Sequence, residues 1–450
     1  MGKPHQVFLA IFLFTGLLFV FITPPIEVVD ESVHFYRAYQ VSQLNFVPDN
    51  IGQESGGSIP ISLTRFVGDS LLAPNQKYNF MAETSRAAKI NLNPQQKQTV
   101  QFTNVAIYPP VNYFPQALGI DVGRLFTSKV MVLFYLGRLF NLLFLAICLF
   151  LAIRLIPRGK VALMILGLMP MVLYVGASFS ADSFVIASVA LYIAYLFKLI
   201  TGKTITTKQW LILAGLAAAV ALSKQTYFVL IISALGLAFR KYSGRFKKRE
   251  LVGMAGVIMI SLMFSAAWLL VTRHLNTTPT ELQHAVGIYP NSHVQRSFIL
   301  GHPLSFIKLS ILSVFDFHSV SGLLGRFGVY DIVLPVWSMI LLVLVIILSF
   351  GMPQDYKMGL KGKQTIPFYL AFFINLCIIL LGLYLFWASP YASRISELQG
   401  RYLIPLIIVL IPVLIGRYRH SVPTKFIITG QAVVLFTSLF VLCSRFYSFL

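Results

Sequence analysis

Apolar residues fall along this chain in long blocks rather than in the short alternating runs of a soluble sheet, and eleven of the blocks approach the roughly 20 residues that cross a bilayer as helix. They lie at residues 7–23, 131–153, 161–178, 182–198, 209–222, 226–239, 251–271, 331–350, 366–388, 402–416 and 426–443. The first stops at Pro24-Pro25, where the ring removes a donor and clashes with the preceding turn. Pro24-Pro25-Ile26-Glu27 is a poor small-residue cleavage site, so this block is read as a span and not a leader. Residues 210–239 are too long for one crossing and sufficient for two short ones meeting at Ser223-Lys224-Gln225-Thr226. The pattern predicts one integral domain, an all-α polytopic membrane protein of about eleven helices.

Three polar stretches interrupt the blocks on one side: residues 24–130, 272–330 and 389–401. The first is far longer than a plain connection. Its middle, residues 50–101, is rich in Gly, Ser, Asn and Gln, and reads as an exposed, mobile excursion. It closes on Tyr108-Pro109-Pro110-Val111-Asn112-Tyr113-Phe114-Pro115 and a short amphipathic helix, either a wall for a lipid-linked ligand or an interfacial anchor. In the second, Gly301-His302-Pro303 opens an amphipathic or re-entrant helix. Its five histidines show no zinc-protease spacing, so no metal site is assigned.

Composition agrees: 57% of residues are hydrophobic, 11% are charged, and the mean hydropathy is +0.77. The net charge of +21 would suit nucleic acid if it gathered on one soluble face. Instead Lys3, Arg154, Arg158, Lys160, Lys198, Lys203, Lys208, Arg240, Lys241, Arg245, Lys247, Lys248, Arg249, Lys357, Lys361, Lys363, Arg417, Arg419 and Lys425 all fall on the other side of the blocks, joined only by Glu250 and Asp355. The positive-inside rule makes that side cytoplasmic, with the N-terminus inside. The excess is therefore topology and attraction to anionic lipid, and no nucleic-acid partner is expected. Cys148, Cys377 and Cys443 lie inside blocks and read as core residues.

Most carboxylates are left on the outward side. Asp30 and Glu31 stand one helical turn before His34 and two before Arg37, at the start of a helix next to the bilayer. This is either an acid site or a helix start whose acids suit the dipole. Charge within or beside spans is costly and informative, which singles out Arg138, Asp182 and Lys224. Lys224 either meets an anionic group or pairs with Asp182 or an outer-loop acid. Arg394 and Arg401, before the tenth block, either grip a phosphate with forked donors or snorkel. A carboxylate base beside cationic grips at a bilayer surface suggests group transfer from a lipid phosphate.

Five segments carry a resemblance: Thr23–Gln40, Tyr108–Pro115, Ala177-Ser178-Phe179-Ser180-Ala181-Asp182, Ser223-Lys224-Gln225 and Gln399-Gly400-Arg401-Tyr402. Together they resemble the bacterial membrane family known as domain of unknown function 2142, which is similar to the C-type superfamily of integral membrane glycosyltransferases. The resemblance implies a C-type bundle whose first outer loop bears the catalytic acid and juxtamembrane helices, in the cytoplasmic membrane with its active site outward. It implies a polyprenyl-phosphate-linked sugar as donor and a cell-surface glycan, teichoic acid or glycolipid as acceptor. Asp30 would be the base, with Glu31 as the second catalytic carboxylate, positioning acceptor or donor. Lys224 and Arg401, joined by Arg394 and Arg138, would hold the donor phosphate. His34, Arg37, Tyr108, Asp182, Gln225 and Gln399 would position substrates. Gln225 departs from the proline expected there. No cofactor is implied with certainty, and a divalent cation stays open because superfamily members differ in metal use. Rival readings are a flippase of lipid-linked sugars, which would place ionisable groups near the midplane and show paired repeats, and a silent assembly scaffold.

Overall fold

The protein is described from a computed structural model over residues 3–73, 76–240, 248–276, 283–284, 287–395 and 397–448. The basic residues Lys241, Arg245 and Lys247 lie outside the described residues. Among the described residues six helices are long and apolar enough to cross a membrane: Pro4–Ile22, Val130–Leu155, Asp182–Thr201, Glu250–Thr272, Gly362–Trp387 and Thr424–Phe446. Four apolar helices are shorter, namely Thr207–Ser223, Gln225–Phe239, Val336–Phe350 and Gly400–Leu414. The block at 161–178 is not one continuous helix. It breaks into Lys160–Gly167 and Pro170–Gly176, because Pro170 supplies no donor and sits where a new helix starts. Apart from Lys160, which is half-buried, both pieces are buried throughout.

The predicted break at Ser223–Thr226 is present. Lys224 is extended, with φ −144° and ψ 139°, and the chain resumes as a 3-10 helix of 15 residues. A 3-10 helix rises about 2.0 Å per residue, so these residues reach roughly 30 Å, where an α-helix of that length reaches roughly 22 Å. Tighter winding gives a short segment bilayer length. Elsewhere Ser292–Gly301 and Pro303–Val314 form a pair bent by 108° at His302, where Pro303 ends the first helix and opens the second.

Residues 50–101 fold rather than wander. Asp49–Ile51, Glu54–Pro60 and Lys97–Gln101 form a three-stranded antiparallel sheet with Glu54–Pro60 in the middle, and helices Ile61–Ser70 and Phe80–Ala87 follow it. Glycine is needed there: a Cβ on Gly56 would collide with the Val100 carbonyl. The sheet joins the second polar stretch through Asn50, which donates to the His274 carbonyl at 2.7 Å and accepts from the Asn276 amide at 3.0 Å. Ser55 adds a bond to the Asn276 carbonyl at 2.8 Å.

The region around this sheet has a core of its own. Phe35, on the juxtamembrane helix Glu31–Ser42, meets Phe134 and Phe179 edge-on at 5.1 and 5.0 Å between ring centres. Phe66 and Tyr113 pack into the same cluster. This aromatic wedge fixes the juxtamembrane helix on the second span, and so fixes Asp30 at its head. The three cysteines are unpaired; Cys148 is buried, but Cys377 is exposed on its helix and is not a core residue.

Candidate functional site

Glu31 and Arg138 meet across 107 residues of sequence. Arg138 donates from Nε to Glu31 Oε1 at 2.8 Å and from Nη2 to Oε2 at 2.6 Å. Its remaining donors reach the carbonyls of Val20, Thr23 and Pro24 at 3.1, 2.7 and 3.0 Å. A guanidinium has five N–H bonds, and all five are engaged. Glu31 likewise accepts the Ile26 and Phe179 amides at 3.1 and 3.2 Å. Both side chains are fully buried. Arg138 therefore has no donor left for a phosphate and Glu31 no free oxygen for a proton. Their pair holds the Pro24–Asp30 turn, in which Ile26 and Asp30 both take left-handed backbone, φ 70° and 63°.

That turn throws Asp30 the other way. Its carboxylate is 29% exposed, accepts from Asn104 Nδ2 at 3.2 Å, and lies 3.5 Å from Arg401 Nη2. Arg401 Nε lies 3.0 Å from Asp182, and Asp182 takes a 2.6 Å bond from Lys224 Nζ. One cluster thus joins Asp30, Arg401, Asp182 and Lys224. Each member has a local reason to be there. Ser180 Oγ accepts the Asp182 amide at 3.2 Å, just ahead of helix Asp182–Thr201. Lys224 is presented by the helix break, whose flanking carbonyls at Ser223 and Thr226 accept from Asn112 and Asn375. Its ammonium rests over the rings of Tyr108 and Tyr402, at 4.8 and 5.1 Å. Arg401 follows Gly400, where a Cβ would strike the backbone of Leu323 and Ser319, so only glycine lets this turn press on helix Phe317–Leu324.

Burial pushes the Asp30 carboxyl above its usual range, an effect that Arg401 and Lys224 partly offset. His34, also buried, is held down to about 3, by desolvation first and then by the Lys224 charge. It is a neutral imidazole that shares a 2.8 Å hydrogen bond with the Tyr113 hydroxyl and stacks beside Tyr108. Three polar atoms at the cluster have no hydrogen-bond partner among the described residues: Arg401 Nε, Gln399 Oε1 and the Tyr330 hydroxyl. All three residues line one partly open cavity of about 20 Å³, together with His318 and Arg326, which is space for a water and not for a sugar. Unmet buried donors and acceptors are rare and ask for a ligand.

The chain matches the model of one protein family, described as "Predicted membrane protein (DUF2142)", over residues 13–410. The chain belongs to that family. No curated protein and no solved structure is matched. The DUF2142 description fixes a membrane protein and names no reaction.

Not every residue singled out in this DUF2142 chain reaches the cluster. Arg37 is fully buried and donates to Gln40 Oε1 and the Phe46 carbonyl, both at 2.6 Å, which fastens the end of its own helix. Arg394 is 63% exposed and pairs with Asp316 at 3.3 Å, outside the cluster. Gln225 is half-buried at the head of the 3-10 helix. Conversely, Asn104, Tyr330, Tyr402 and Glu397 join the site without having been singled out. Glu397 is a half-buried acid whose pKa burial raises, with Asp30 adding to the effect. Glu397 and Tyr402 flank Gln399 and Arg401 in sequence, a signal that was legible; Asn104 and Tyr330 had none. Among the described residues no group of three or more His, Cys, Asp and Glu is placed to hold a metal. Asp30 and Asp182 are bridged by the Arg401 guanidinium, so the donor set as arranged does not fit a divalent cation.

Proposed function

We propose that this DUF2142 protein is an inverting glycosyltransferase that moves a sugar from a polyprenyl phosphate to a hydroxyl of a cell-surface glycan or glycolipid. The observation that carries the reading is Asp30, a partly exposed carboxylate with a raised pKa, set beside the Arg401 guanidinium that also contacts Asp182. In the reaction the acceptor O–H gives its proton to Asp30 as its oxygen bonds to the sugar C1. The C1–O bond to the phosphate breaks, and its electron pair stays on the phosphate oxygen, which Lys224 and Arg401 stabilise. Attack opposite the leaving group inverts C1. Asp182 holds the two cations together until a phosphate replaces it. His34, uncharged, orients without competing for the proton.

The same proposal takes the four short helices and the buried 160–176 pair as crossings, which makes eleven. It sets the basic end in the cytoplasm by the positive-inside rule and Asp30 on the outward face of the cytoplasmic membrane. The bent pair at His302 and the broken helix at Lys224 favour a second reading, since transporters build substrate sites on broken helices.

Purified protein given a panel of radiolabelled polyprenyl-phosphate sugars separates the two. Turnover of one donor by wild type, lost in Asp30→Asn with donor binding intact, supports the transferase. Lipid-linked sugar crossing proteoliposomes without regard to Asp30, with no transfer, replaces it with the transporter.

A further inference from the structure

The ends of the second span and of helix Asp182–Thr201 that lie away from the cluster carry a feature that the transfer reaction does not use. Arg154 closes the second span, Lys160 opens the next helix, and Lys198 sits in the last turn of Asp182–Thr201. They line one open groove of about 590 Å³, whose apolar wall includes Leu151 and Leu155. Along Asp182–Thr201, 16 residues separate Asp182 from Lys198, about 24 Å of helix, so the groove and the cluster occupy opposite ends.

The groove's charge is uncompensated by carboxylate contact. None of the ion pairs among the described residues involves Arg154, Arg158, Lys160 or Lys198. Lys160 Nζ donates to the Arg154 carbonyl at 3.0 Å, which draws its ammonium toward the end of the second span. Asp355, an acid that acts on Lys160 electrostatically, is 4% exposed and takes the Gly159 amide. Loop charges that serve topology alone need only lie on one side of the membrane. Here three converge on a single concavity, beside leucines at bilayer depth.

We propose that this groove is a binding site for one anionic phospholipid, its phosphate held among Arg154, Lys160 and Lys198 and an acyl chain laid along Leu151 and Leu155. Charge selects the headgroup and the apolar wall selects a lipid over a free anion. A zwitterionic headgroup brings its own cation among three others and is disfavoured. The site is independent of the chemistry at Asp30.

The test uses the full chain in neutral detergent. Bound lipid is extracted and counted, and the melting temperature is followed as phosphatidylglycerol, phosphatidylcholine or inorganic phosphate is added. Wild type is expected to retain close to one phosphatidylglycerol per chain and to melt higher with that lipid alone. Each of Arg154→Gln, Lys160→Gln and Lys198→Gln weakens retention about five-fold. Leu151→Trp fills the groove without touching a charge, and lowers retention even if the charge variants insert poorly. Removing three exposed charges elsewhere at the same end, Lys203→Gln, Lys208→Gln and Lys361→Gln, leaves retention unchanged. Equal loss in the groove and control variants overturns the proposal. So does equal protection by phosphatidylcholine, or protection by inorganic phosphate alone.

Discussion

Glu31 accepts four bonds and is sealed from solvent, whereas Asp30, one residue earlier, accepts a single amide bond from Asn104, lies near one guanidinium and stays 29% exposed. The arginines facing them differ in the same way. Arg138 has all five donors engaged, and Arg401 has a buried Nε without an aligned acceptor. Both are carboxylate–arginine contacts made from the same turn. What separates scaffold from site is whether the hydrogen-bonding capacity is exhausted. A saturated pair can only hold the chain, because any new ligand must displace a bond already made. An unsaturated cluster can exchange partners at little cost, since its groups already lack some.

The sharpest way to break this contrast is at the saturated pair. Arg138→Ala strands the Glu31 charge in a sealed space and is expected to cost about 3–5 kcal/mol. The checks are a large fall in melting temperature and poor yield of folded protein. A stable Arg138→Ala protein deficient only in donor binding would remove the distinction.

Next is Asp30→Asn, expected to lower transfer about 10²-fold to 10⁴-fold while the fold is kept. The sign of its stability effect is informative. A carboxyl whose folded pKa is raised opposes folding once ionised, so neutral Asn should leave the melting temperature unchanged or slightly higher at pH 7. Activity in wild type should fall, as pH drops, at a higher pH than an ordinary carboxylate would give. A marked loss of stability in Asp30→Asn would class it with Glu31.

Lys224→Gln and Arg401→Gln each remove one charged bond to the donor phosphate, about 1.5–3 kcal/mol, or roughly 10-fold to 100-fold in donor affinity. Titration with the donor by calorimetry measures this, and unchanged affinity in both variants would move the phosphate elsewhere. The smallest effect is at His34. Its pKa, depressed in the fold to about 3, means the unfolded chain takes up a proton that the folded one refuses. Stability contributed by the neutral ring is whole above pH about 6.5 and is lost progressively as pH falls toward 3. His34→Gln should flatten that part of the stability profile and leave pH 8 almost unaffected; an unchanged slope would mean that the ring is protonated in the fold.

How much of this was legible follows from distance along the chain. Apolar blocks, the break before Lys224 and the proline end of the first span are local features, and they can be read from neighbouring residues. The Asp182–Lys224 pair was open between two readings, and the contact at 2.6 Å supports the ion pair in the resting state. The Glu31–Arg138 pairing depends on two segments 107 residues apart, and no spacing rule reports it. Residues 50–101 misled for a different reason. Gly56 and Gly57 carry the composition of a loop but lie in a buried strand, where neighbours come too close for a side chain. Arg37 looked like a binding residue because charge next to a membrane is costly. Its carbonyl partners, Asn45, Phe46 and Tyr108, come from a loop whose path the sequence does not show.

The bonds from Asn50 and Ser55 to His274 and Asn276 also set an order of events at the ribosome. The sheet near the N-terminus lacks its partner until some 220 further residues have been made, an interval of about 10–45 s at ordinary elongation speeds. During that interval its polar edge has no bonds from the later loop.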